Sequence, residues 1–238
     1  MTTRIDEAPD AEALARRAAE WIAGLAGASQ DRFAICLSGG STPRRLYQLL
    51  AGPPFRESLP WERLHWFWGD ERFVPWAHPE SNYGMARDAL LARAPVPPEN
   101  IHGIATAGTP ADAARTYAGL LQSWYGAENL DPARPLFDVV LLGLGEDGHT
   151  ASLIPGTQAL DERRRWAVEV VGARPEVRIT LTYPPLESAR HVAFLVAGAD
   201  KRAILAQALA GDRSLPAARV APTGDLTWFV DSAARPQS

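Results

Sequence analysis

The sequence predicts an α/β protein built on a mainly parallel β-sheet with helices covering both faces. Three observations carry that expectation. Short apolar runs at Phe33–Leu37, Leu64–Trp68, Leu136–Leu142 and His191–Ala197 alternate along the chain with stretches of helical periodicity. The run Leu136–Leu142 is broken only by Asp138, as in a central strand buried on both faces. Each run also ends directly in a loop rich in glycine, hydroxyl or charged residues. In parallel sheets ligands bind there, outside the carboxyl ends of the strands, so four such loops are expected to share one rim.

The elements follow in order. Ala11–Leu25 places Leu14, Ala18, Trp21, Ile22 and Leu25 at helical spacing, and Gly27 is expected to stop that helix. Phe33–Leu37 is a short buried strand. It runs into Ser38-Gly39-Gly40-Ser41-Thr42-Pro43 and then a helix over Arg44–Leu50, with Pro43 suited to the first helical position. Strand Leu64–Trp68 contains His65, expected to hydrogen-bond near the core, and ends at Gly69-Asp70-Glu71-Arg72. After the loop Phe73–Pro79, Ser81 or Asn82 caps a helix over Tyr83–Arg93. Ala94–Pro98 is a rigid connector, and Pro110–Tyr125 is an amphipathic helix. Beyond the strand Leu136–Leu142, strands are expected at Trp166–Val171 and Val177–Thr182, and a short helix at Pro184–Ala189. The strand His191–Ala197, the helix Arg202–Ala210 and a last strand at Thr227–Val230 complete the chain.

Composition narrows the function. The net charge of −4, with no block of Lys or Arg, disfavours nucleic acid or an acidic membrane surface as partner. Cys36, the single cysteine, lies in an apolar run, so neither an intrachain disulfide nor a thiolate metal cluster is expected. The N-terminal MTTRIDEAPDAEAL has no signal-like apolar core, and no apolar stretch is long enough to span a bilayer. A cytoplasmic location is the corresponding expectation.

The loops carry the chemistry. Ser38–Thr42 before a helix reads as an anion cradle, with glycines for a tight bend, hydroxyls, and the free N–H groups of a helix start. Arg44 and Arg45, two cations in a first turn, oppose the helix dipole, and a bound anion would account for one of them. No Gly-Lys-Ser/Thr follows at Walker spacing. Gly143-Leu144-Gly145-Glu146-Asp147-Gly148-His149 puts two acids and an imidazole on a glycine loop, with Thr150 and Ser152 just beyond. Its glycines miss the spacing of a dinucleotide-binding fingerprint.

Taken together, Ser38–Pro43 (SGGSTP), Gly69–Arg72 (GDER) with Ser81-Asn82-Tyr83, and Gly143–Pro155 (GLGEDGHTASLIP) resemble the 6-phosphogluconolactonase family. The motifs occur in the family's order and the resemblance spans Phe33 to Leu209. It implies a single three-layer αβα domain over residues 1–238, Rossmann-like and similar to glucosamine-6-phosphate deaminase. It also implies hydrolysis of 6-phospho-D-glucono-1,5-lactone without a cofactor or metal, by a monomer or small homo-oligomer. The sister deaminases share SGGSTP and the DGH segment but place a glutamate a few residues past the histidine. Here no acid follows His149 until Asp161. Ile154, where the family commonly has Phe, is a conservative departure. A deaminase or a non-catalytic sugar-phosphate-binding domain are the alternatives; regulators of the latter kind usually carry a helix-turn-helix, for which the segment before Phe33 is too short.

What a δ-lactone needs suggests the roles, and the resemblance adds Arg178 and Lys201 to the phosphate site. His149 is the candidate base for water. Asp147 either orients that imidazole or holds substrate hydroxyls. Arg72 either stabilises the oxyanion or grips the substrate, with Asp70 or Glu71 setting its pose. Ser38, Gly39, Gly40, Ser41 and Thr42 are expected to take the phosphate with Arg44, Arg178 and Lys201, and Asn82 and Gly145 complete the predicted site.

Overall fold

The strand β6 (Phe137–Leu142) stands in the middle of a seven-stranded sheet and is almost wholly buried. In the computed structural model, which describes residues 2–236, its neighbours are β2 (Phe33–Leu37) on one side and β9 (Ala189–Val196) on the other. Beyond β2 lie β3 (Leu64–Trp68) and β5 (Ile101–His102); beyond β9 lie β10 (Asp225–Asp231) and β1 (Thr3–Ala8). Every pairing in this sheet is parallel. A small antiparallel sheet of β4 (Asp70–Arg72), β8 (Arg178–Leu181) and β7 (Ala167–Val170) stands apart from it.

Helices cover the main sheet on both faces. The α-helices are α1 (Ala11–Ala28), α2 (Ser41–Leu50), α3 (Phe55–Ser58), α4 (Asn82–Ala86), α5 (Pro110–Tyr125), α6 (Tyr183–Glu187), α7 (Arg202–Leu209) and α8 (Pro216–Arg219). The pleat of β3 shows the layering, because successive side chains leave a strand on opposite faces. Phe67 meets Trp124 of α5 at 5.3 Å between ring centroids, whereas Trp68 meets Tyr83 of α4 at 5.2 Å. His65 shares the Phe67 side, where its Nδ1 lies 3.1 Å from Nε2 of His102.

Two buried phenols hold the strand ends from which the site loops leave. The Tyr47 hydroxyl accepts from the Ser38 N–H (2.9 Å) and donates to the Ser38 carbonyl (2.8 Å). Tyr117 does the same for Trp68, at 2.8 and 2.9 Å. Burial pushes both phenols up from their ordinary titration range, so each stays protonated and serves as donor and acceptor at once. Both backbone groups of a chain leaving the sheet are thereby satisfied.

Several boundaries differ from the sequence reading. β1 was not expected: TRIDEA is an exposed edge strand in which only Ala8 is buried, so it lacks the apolar signal of an inner strand and is held by pairing with β10. α1 runs past Gly27 to Ala28, because that glycine faces open space and Ala26 beside it is packed in the core. α2 starts at Ser41, three residues before Arg44, after Gly40 with φ +107°. Pro43 is therefore the third helical residue, still within the turn where a missing N–H costs nothing. Ser81 is the cap of α4, accepting the Gly84 N–H at 3.0 Å.

Candidate active site

Chain direction across the sheet reverses between β2 and β6. From β2 the chain builds outward through β3 and β5; from β6 it builds the other way through β9 and β10. The loops that leave these two strands diverge at such a switch point, opening a crevice at the carboxyl edge. The loop after β2 is Ser38–Gly40, and the loop after β6 is Gly143–His149. They form the walls of a cleft of about 470 Å³, joined by Asp70 and Arg72 of β4, Arg178 of β8, and Lys201 beyond β9.

Of the residues singled out in the sequence, Ser38, Gly39, Gly40, Ser41, Thr42, Asp70, Arg72, Asn82, Gly145, His149, Arg178 and Lys201 line this one cleft. Two glycines are there because a side chain would not fit. A Cβ on Gly39 would lie 2.0 Å from Oδ1 of Asn82, and one on Gly145 would lie 2.0 Å from Nδ1 of His149. Asn82 is in turn fixed by donating from Nδ2 to the Asp70 carbonyl at 2.9 Å. The Asp70 carboxylate accepts the Ser152 hydroxyl through Oδ2 at 2.6 Å, which ties the segment just beyond His149 to β4.

The imidazole of His149 is oriented by Asp147, whose Oδ1 lies 2.5 Å from Nδ1. Burial alone would raise the Asp147 carboxyl. The hydrogen bonds from His149 and Arg174 outweigh it and hold the group down at about 2. Asp147 itself does not line the cleft; its carboxylate meets the imidazole at Nδ1. Arg174 belongs to no motif in the sequence and was missed.

Three cations also line the cleft. Arg72 and Arg178 are partners in the register of β4 and β8, and each has a buried Nε without a hydrogen-bond partner. Desolvation first, and then the neighbouring Arg72, lower the Arg178 guanidinium from its ordinary range. Like charges buried side by side favour an anion between them. Thr150 adds a buried hydroxyl without a partner, next to Ala151, which holds φ +48°. A non-glycine residue in the left-handed region stores about 1 kcal/mol or more, and such strain concentrates at functional sites. Lys201 also lines the cleft, 3.4 Å from Asp200 and 3.9 Å from Glu146.

Two expected ligands stand elsewhere. Glu71 is fully buried and faces away from the cleft. It accepts the Asn82 and Tyr83 N–H groups at 2.7 Å each and the Ser81 hydroxyl at 3.0 Å, so it anchors the start of α4. Burial raises its carboxyl and those hydrogen bonds oppose the rise. Nor does Glu71 pose the Arg72 side chain; Glu80 does, through its carbonyl (2.7 Å) and carboxylate (3.1 Å). Arg44 is exposed on α2, outside the cleft. The early start of α2 makes it the fourth helical residue rather than the first. Arg45 pairs with Glu12, with Nη2 2.8 Å from Oε1. Arg45 thus has a partner without the anion that the sequence suggested, and Arg44 is not placed to hold one in the cleft. Among the described residues no group of His, Cys, Asp and Glu is placed to hold a metal ion.

A family described as glucosamine-6-phosphate isomerases/6-phosphogluconolactonase matches residues 9–228. The chain is 44% identical to a 6-phosphogluconolactonase of Nostoc sp., with 98% of each chain covered. It is 40% identical to a 6-phosphogluconolactonase of Streptomyces coelicolor, covering 89% of this chain and 84% of that one. Among solved structures, 6-phosphogluconolactonase from Thermotoga maritima superposes with a TM-score of 0.83 at 28% identity, covering 97% of this chain and 100% of that one. A monomeric glucosamine-6-phosphate deaminase shares the three-layer fold at 20% identity and a TM-score of 0.80, with 97% and 98% of the two chains covered.

Proposed function

The chain belongs to the glucosamine-6-phosphate isomerase/6-phosphogluconolactonase family, and from that premise we propose that it hydrolyses 6-phospho-D-glucono-1,5-lactone to 6-phospho-D-gluconate in the oxidative pentose phosphate pathway. The observation that carries this reading is the Asp147–His149 pair opening onto a cleft whose other walls bear Arg72, Arg178 and Lys201. A δ-lactone needs an activated water, a stabiliser for the oxyanion and a proton for the departing ring oxygen.

Each need has a residue. Asp147 is ionised at neutral pH and therefore only accepts, so Nδ1 of His149 carries a proton, and in the neutral ring Nε2 presents a lone pair. Nε2 takes a proton from water as the oxygen attacks the lactone carbonyl. The imidazolium then returns that proton to the ring oxygen as the C–O bond breaks. Arg72, held by Glu80, stabilises the developing oxyanion. The Ser38–Thr42 cradle at the start of α2, with Arg178 and Lys201, takes the phosphate. A monomer or a small homo-oligomer is the accompanying reading of its assembly. No helix among the described residues is long and apolar enough to cross a membrane, and a cytoplasmic enzyme is the accompanying reading.

Freshly made 6-phosphogluconolactone is the test substrate, with turnover measured above its spontaneous hydrolysis. Saturable acceleration is expected, and no ammonia from glucosamine 6-phosphate. Ammonia release without lactone hydrolysis would replace this reading with the deaminase one. Lys201→Ala is expected to raise KM for the phosphorylated lactone about tenfold, the typical loss of one charged hydrogen bond, and to leave KM for plain gluconolactone nearly unchanged. An equal rise for both lactones removes Lys201 from the phosphate site.

A further inference from the structure

The hairpin that joins β7 to β8 delivers two arginines to the site. Arg178, at the start of β8, lines the cleft; Arg174, within the turn, does not. A guanidinium nitrogen of Arg174 is instead hydrogen-bonded to Oδ2 of Asp147, and the same nitrogen lies 3.5 Å from Nδ1 of His149. The other carboxylate oxygen, Oδ1, faces Nδ1 at 2.5 Å and accepts the His149 backbone N–H at 3.2 Å. The carboxylate is thus shared, one oxygen to the histidine and one to the arginine.

As an isolated ion pair this contact would count for little. The two side chains are 32% and 37% exposed, and such pairs contribute about 0–1 kcal/mol. Its place in the site gives it a larger consequence. A carboxylate held through one oxygen can rotate about its terminal torsion, which has broad wells. With both oxygens engaged the plane is set. Arg174 can only donate and the ionised Asp147 can only accept, so the hydrogen between Oδ1 and Nδ1 is fixed on the ring.

We propose that Arg174 is a positioning residue for lactone hydrolysis: by holding Oδ2 of Asp147 it locks the carboxylate so that His149 stays in the Nδ1–H tautomer, with Nε2 free toward the cleft. This inference rests on the reading of His149 as the base. It also gives the small antiparallel sheet a double role, since one hairpin would supply a cation to the substrate wall and a brace to the base.

The experiment uses the full chain with Arg174→Ala and Arg174→Lys. Two measurements are made on each: steady-state kinetics with the phosphorylated lactone, and nitrogen-15 chemical shifts of the His149 ring at pH 8 without substrate. Arg174→Ala is expected to lower kcat about tenfold, as loss of a group that orients a reactive residue commonly does. KM should change less than about twofold, because Arg174 does not touch the cleft. The ring shifts should move from a single Nδ1–H form toward a mixture with the Nε2–H form. Arg174→Lys, which can still donate to Oδ2, should recover most of both signals. A tautomer unaltered in Arg174→Ala overturns the proposal, as does a rise in KM with kcat intact, which would make Arg174 a substrate ligand. The spectroscopic arm needs no turnover. Absence of lactonase activity in the unaltered chain would therefore overturn the functional reading while the ring shifts still decide the role of Arg174.

Discussion

Replacing His149 by Asn is expected to cut lactone turnover at least about a hundredfold, the range typical for a positioned general base, while leaving binding of 6-phosphogluconate nearly intact. Asn retains a polar side chain that can reach Asp147, so the Asp147–Arg174 pair persists and the cleft keeps its charge. What is lost is the imidazole at the cleft wall, the group proposed to take a proton from water and hand it back. The measurement is kcat above the spontaneous hydrolysis rate, with product affinity measured by calorimetry. A kcat near that of the unaltered protein would mean that another group activates the water. A loss of product affinity comparable to the loss of kcat would instead make His149 a binding residue.

The second large effect is expected from a residue with no side chain. Gly145→Ala puts a Cβ 2.0 Å from Nδ1 and 2.8 Å from Cγ of His149. Those distances are far inside van der Waals contact, so the ring must turn away. The Gly145 N–H donates to the His149 carbonyl at 2.9 Å, which ties the two backbones and leaves the imidazole as the part that yields. Turning the ring breaks its contact with Asp147 and misplaces Nε2, and a displacement of that size costs about a hundredfold in rate. Gly145 is not among the glycines with positive φ, so Ala is compatible with its backbone and the urea midpoint should move little. If Gly145→Ala acts through the imidazole, the double variant Gly145→Ala/His149→Asn should be no slower than His149→Asn alone. Additive losses would assign Gly145 a separate role, such as a direct contact with substrate.

Legibility in the sequence followed the physics of each feature. The inner strands were readable because burial on both faces leaves an unbroken apolar run, as at Phe33–Leu37 and Phe137–Leu142. The edge strand Thr3–Ala8 was not, because solvent on its flank permits the charged residues that hide it. Glu71 illustrates the limit within a motif. Next to Asp70 and Arg72 it has the right chemistry for a ligand. Alternation in β4 nonetheless sends it to the opposite side, onto the N–H groups of Asn82 and Tyr83. Arg44 failed for the related reason that a helix start misplaced by three residues rotates every side chain that follows it.

The chain order of apolar runs and glycine loops was enough to determine a parallel α/β sheet and a rim on which Ser38, Asp70, His149 and Lys201 could meet. Tertiary structure alone decided which atoms face one another there: Gly145 beneath the imidazole, Glu80 on Arg72, and Arg174 on the far oxygen of Asp147. Periodicity and residue type are local properties that survive in a one-dimensional string. The direction of a side chain and its partner twenty-seven residues away depend on strand register and hairpin placement, which exist only once the core has packed.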